Sequence, residues 1–146
     1  MQKERLLAQM AMGNGLVISF LDGSKNIAGD RCQVQLHISI PILIETVMSP
    51  QETETLEGFS EFAAAFEGEI QYRLTKVRNF IRKDLLAATV DRMKDDFLAA
   101  NAAYLANPCF ARRYILSRFQ EWKRQTAWEA RHREAIMKAD IESASP

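Results

Sequence analysis

Between Arg31 and Ile40 the chain reads "RCQVQLHISI", in which Cys32, Val34, Leu36, Ile38 and Ile40 alternate with Arg31, Gln33, Gln35, His37 and Ser39. A period of two sends the apolar set to one face of a sheet and the polar set to the other. A strand with one wet face belongs in an antiparallel sheet covered on one side. Pro41 has no amide to give a ladder, which marks an edge or a bulge there, and "ILIETV" is able to continue the strand beyond it. Upstream, "LVISFL" (16–21) is short, β-branched and aromatic, bounded by Gly15 and Asp22-Gly23, and reads as a strand.

The pattern then changes period. Ser49, Pro50 and Glu52 fit an N-cap, a first-turn proline and a capping-box acid, and Phe59, Phe62, Ala63 and Phe66 keep helical spacing. Gly58 and Gly68 interrupt it, so a short helix or a partly ordered acidic crossover is expected. Ile70, Leu74, Val77 and Ile81 fit a helical face, yet "IQYRLTKVRNFI" is rich in strand formers. Two strands alone are marginal in water, so 70–81 is read as a third strand.

Helical spacing returns with Leu86, Val90, Met93, Phe97 and Tyr104, with Asp84 as N-cap. Asn107-Pro108 ends this helix and starts another, whose stripe is Ala111, Ile115, Phe119, Trp122 and Thr126. The short connection implies an antiparallel pair. After Trp128 the apolar spacing loosens, and "IESASP" is expected to fray. These elements predict a single α+β domain: an N-terminal antiparallel β-meander of about three strands covered by two C-terminal antiparallel α-helices. Residues 1–14 form a lead-in, 15–81 the mainly β part with its acidic crossover, 82–138 the helical part, and 139–146 the frayed end.

Composition changes this picture little. At 146 residues, 47% apolar and 26% charged, the chain has the makeup of one ordinary globular domain. Nineteen basic residues balance nineteen acidic ones, leaving no global field for nucleic acid or anionic lipid. Locally the charge is uneven: from Pro41 to Glu69 every charge is a glutamate, whereas basic residues outnumber acids after Asn107. Two distant cysteines give no disulfide framework. No stretch is apolar for long enough to span a bilayer, and the N-terminus makes a poor signal peptide. A soluble, cytoplasmic protein is expected.

Candidate chemistry is sparse. The loop after the first strand gathers Asp22, Ser24, Asn26, Asp30 and Arg31, with Gly23 and Gly29 to bend the backbone. It lacks the order and closing glutamate of an EF-hand and the glycine patterns of nucleotide loops. The Asp-x-Ser-x-x-Gly motif of PilZ-type cyclic-dinucleotide receptors begins with Asp22 and Ser24, but Ile27 stands at the glycine and no Arg-x-x-x-Arg precedes it. Turn chemistry alone explains the loop's composition; as a site it supports a ligand- or nucleotide-sensing reading. His37 and His132 have no companion at zinc-ligand spacing, and the Asp95-Asp96 and Glu67/Glu69 pairs have no identified proton or metal between them. Cys32 sits on the apolar face; Cys109, beside a helix start, is the more reactive thiol if exposed. No catalytic residue, metal or cofactor is assigned.

Arg118, Trp122, Arg124 and Trp128 combine arginine with large aromatics, the makeup of protein hot spots and of stacking contacts to nucleic acid. The leading expectation is therefore a small non-enzymatic interaction module that binds a protein partner or forms a homo-oligomer such as a dimer. Ligand sensing through residues 22–31 is the second reading, and nucleic-acid binding through the basic helix, disfavoured by the neutral net charge, is the third. No membrane partner is expected.

Overall fold

A computed structural model describes residues 4–144. Five strands, β1 (Arg5–Ala11), β2 (Val17–Asp22), β3 (Lys25–Ala28), β4 (Arg31–Leu43) and β5 (Glu69–Arg82), form one antiparallel sheet. The fold is α+β, with two long helices at its C-terminal end. Two more strands are present than the hydrophobic pattern predicts. Residues 5–11, expected as lead-in, are β1, and residues 25–28, expected as part of a bend, are β3. Both bury almost nothing, so neither carries the alternation that reveals a half-buried strand.

Strand β4 is the spine. It pairs with β5 over nearly its full length, while β2 takes Leu36–Ser39 and β3 takes Arg31–Gln33 on its other edge. Thus β2 and β3 act as one long strand interrupted at Gly23-Ser24, and the hairpin bend lies at Gly29-Asp30 instead. Cys32, Val34, Leu36, Ile38, Ile40 and Ile42 are all buried, as the period of two requires. Each fully buried aliphatic side chain stabilises the sheet by about 1.5–3 kcal/mol. The opposite face is laced by side-chain bonds: Gln33 Nε2 to Asn79 Oδ1 (2.9 Å), His37 Nδ1 with Thr75 Oγ1 (2.9 Å), and Ser39 Oγ to Gln71 Oε1 (3.0 Å). Pro41 pairs with Gln71 just past the last β2–β4 pair, Ser19 with Ser39, so its missing amide falls where β4 has no neighbour on that side among the described residues.

The contacts divide the chain into two compact units, each assembled from separated stretches: the chain up to Leu43 with Glu69–Ala111, and Ile44–Gly68 with the chain from Arg112 onward. In the first unit, α4 (Leu86–Leu105) covers the apolar sheet face, burying Val90, Met93, Phe97 and Leu105. Phe97 meets Phe20 edge-on at 6.1 Å. Asp84 does not cap this helix. A single 3₁₀ turn, Lys83–Leu85, leads in, and Asp84 instead pairs with Arg82 at 2.8 Å.

In the second unit the acidic crossover is three short helices, α1 (Ile44–Val47), α2 (Pro50–Glu54) and α3 (Phe59–Ala65), so β4 ends at Leu43. Ser49 caps α2 as its sequence predicts, its Oγ accepting the Glu52 amide at 3.3 Å. Gly68, at φ +78°, turns the chain out of α3, its amide donating to the Ala63 carbonyl at 2.8 Å. Phe59, Phe62 and Phe119 form a ring cluster with centroids 5.0–5.5 Å apart. Phe119 belongs to α5 (Phe110–Ala144), a helix of 35 residues. Asn107 Oδ1 accepts the Cys109 amide at 2.8 Å just before it starts. The helix continues through Ile141 to Ala144, where fraying is expected from sequence; residues 145–146 lie outside the described residues.

Candidate interaction surfaces

The loop residues do not converge on a shared opening. Asp22 is buried, and its Oδ1 accepts the Ser24 amide at 2.9 Å while Oδ2 lies 3.7 Å from Arg5 Nη2. Ser24 Oγ accepts the Gln35 amide at 3.0 Å, so a hydroxyl stands in for the ladder carbonyl at the break between β2 and β3. Asn26 is exposed within β3, opposite Cys32. Asp30 and Arg31 pair with each other at 3.3 Å at the hairpin end. Two of the five residues are thus occupied by backbone bonding.

A row of Thr75, His37 and Glu4 has the order of a nucleophile, a base and an orienting acid. The His37–Thr75 bond is one rung of the ladder along the polar face, however, and Glu4 stands 3.7 Å from His37 Nε2, past hydrogen-bond distance. The row is sheet packing. Cys32 is buried and Cys109 is exposed, both as free thiols. Among the described residues no group of three His, Cys, Asp or Glu side chains is placed to hold a metal, and no helix is long and apolar enough to cross a membrane.

The α5 residues split into two pairs. Arg118 lies over the Phe66 ring at 5.6 Å and reaches Glu121 at 3.6 Å, with its buried Nε lacking a hydrogen-bond partner. Trp122 packs on Phe62 at 5.7 Å. Both belong to the aromatic cluster of the second unit. Burial there raises the Tyr114 hydroxyl above the ordinary phenol range, with Arg118 opposing the shift and Glu121 adding to it. Arg124 and Trp128 are exposed.

From Lys123 to Ser143 every residue except Ala130 is exposed, so this half of α5 meets solvent around its whole circumference. It nevertheless carries an apolar stripe: Trp128, His132, Ala135, Ile136 and Ala139 stand at i, i+4, i+7, i+8 and i+11 on one face. Trp128 is 55% exposed and Ile136 48%, and the Trp128 and His132 rings stack at 5.0 Å. Charge is graded along the same segment. Lys123, Arg124, Arg131 and Arg133 face one acid, Glu129, in the first half; Glu134, Asp140 and Glu142 face one cation, Lys138, in the second.

A further surface, which sequence reading misses, lies on β5. Residues Arg73–Phe80 are exposed on both strand faces, including Leu74, Val77 and Phe80. A bulge opposite Gln33 ends this flat stretch, and Phe80 there takes a positive φ of 58°. Beneath the strand a groove of about 540 Å³ runs between β5 and α4, lined by Lys76, Arg78, Met93, Asp96 and Phe97. The run of cations at 73, 76 and 78 is visible in the sequence, but only the pairing shows that it lies on an open edge. No protein-family model, curated protein or solved structure matches this chain.

Proposed function

We propose that this chain is a small interaction module that self-associates, with the distal half of α5 as its contact. The observation that carries the reading is the apolar stripe around Trp128 on a helix segment that its own chain leaves exposed. Helices in proteins owe most of their stability to packing of an amphipathic face. Here the stripe has nothing to pack against among the described residues.

A second copy is the partner that the charge pattern favours. In a parallel pair the basic halves would lie together and the acidic halves together. An antiparallel pair, crossing at about 20°, sets Lys123–Arg133 of each helix along Glu134–Glu142 of the other. Centred on His132, it brings Trp128 against Ile136 and Arg124 alongside Asp140. Such an interface is self-complementary, as a two-fold dimer requires.

Sedimentation velocity across a dilution series tests this. The wild-type chain is expected to shift from dimer to monomer on dilution, and Trp128→Glu, which puts a charge on the stripe, to remain monomeric at all concentrations while keeping its fold. A wild-type chain that is monomeric throughout removes the reading. Salt-sensitive retardation of a short duplex by a monomeric chain would put nucleic acid in its place.

A further inference from the structure

We infer that the free edge of β5 is a docking site for an extended, acidic segment of another protein, which adds to the sheet as a further strand. The register fixes which backbone groups are open. Gln35 turns its amide to Ser24 Oγ and its carbonyl to the Gly23 amide, both toward the β2–β3 side. Direction alternates along a strand, so Leu36, Ile38 and Ile40 turn toward β5, opposite Lys76, Leu74 and Tyr72. The residues between and beyond these on β5, Arg73, Thr75 and Val77, therefore turn their amides and carbonyls away from β4. Among the described residues the sheet has no strand beyond β5. From Arg73 to Val77 that leaves about 13 Å of open backbone at 3.3 Å per residue, the template that strand addition uses.

Charge names the occupant. From Ile70 to Lys83 the strand and its exit carry Arg73, Lys76, Arg78, Arg82 and Lys83 and no acid. Arg73, Lys76 and Arg78 make no ion pair among the described residues. Edge cations are how natural sheets resist pairing with themselves, and two β5 edges side by side would set cation against cation. An acidic strand removes that repulsion. Side chains of an added strand alternate between faces: carboxylates on the groove side would meet Lys76, Arg78 and Arg92, three cations against the one acid Asp96, and aliphatic groups between them would lie on the other face beside Thr75 and Val77. The bulge and the exposed Phe80 ring bound the site at one end.

The test is a backbone-amide NMR titration of the full chain with a short peptide of alternating glutamate and valine. The expected result is shifts and slowed hydrogen exchange at the amides of Arg73, Thr75 and Val77. Affinity should fall at least fivefold in Arg78→Glu. It should be lost in Val77→Pro, which removes an edge donor without touching the β4 ladder. Arg78→Glu is an exposed substitution and keeps the fold if Val77→Pro does not. Unchanged amides at millimolar peptide would overturn the inference. So would equal binding of the lysine-valine counterpart, or equal competition by a single-stranded oligonucleotide.

Discussion

Gly23 sits where β2 runs into β3, and a Cβ added there would stand 2.7 Å from His37 Cδ2. The imidazole is tied to Thr75 on the neighbouring strand, so it yields only by giving up that bond. Gly23→Ala is expected to cost about 1–3 kcal/mol in urea unfolding. In a His37→Ala background most of that cost should vanish, because the clash and not the backbone conformation is responsible. Equal costs in both backgrounds would place the strain elsewhere. The sequence marks Asp22, Gly23, Ser24, Gly29 and Asp30 as turn-forming, but which of them form the bend depends on Gln35 and His37, a strand away. Local composition holds no record of those partners.

Among the elements, β4 was the most legible because one face is buried along nearly its whole length, which is the condition that writes a period of two into a sequence. β5 was recognisable from its β-branched and aromatic residues, despite a helical spacing of Ile70, Leu74, Val77 and Ile81. β1 and β3 were not legible, since strands at sheet margins need no apolar face. The same logic applies to α5. Its first half shows the stripe Ala111, Ile115, Phe119 and Trp122, which is buried or half-buried, while its second half has a weaker stripe left exposed among the described residues. If association supplies the missing packing, far-ultraviolet helicity of the wild-type chain should rise with concentration through the range in which dimers form. Trp128→Glu should hold the lower value throughout. Helicity independent of concentration in a chain that does dimerise would place the contact away from α5.

At the scale of the molecule, the two compact units interleave in sequence: the first takes the chain up to Leu43 and Glu69–Ala111, the second Ile44–Gly68 and the chain from Arg112 onward. Read linearly, the chain looks like strands followed by helices, and a division of this kind is invisible because it depends on which distant segments meet. The candidate surfaces follow the same rule. Of the four α5 residues singled out by composition, Arg118 and Trp122 are engaged with Phe66 and Phe62, and only Arg124 and Trp128 are exposed. The β5 edge, whose cations are plain in the sequence, becomes a surface only once its pairing is known. An exposed helix segment with opposite charge in its two halves is the feature on which the proposed pairing with a second copy rests.

Antiparallel pairing of α5 is the central claim, and sedimentation equilibrium of a charge-swap series tests it most directly. Arg124→Asp and Asp140→Arg each turn two cross-dimer attractions into repulsions, and each alone should weaken the dimer roughly fivefold. The double variant restores opposite charges across an antiparallel interface and should recover most of the wild-type affinity. If the two losses instead add in the double variant, Arg124 and Asp140 do not face each other and antiparallel pairing through α5 is contradicted.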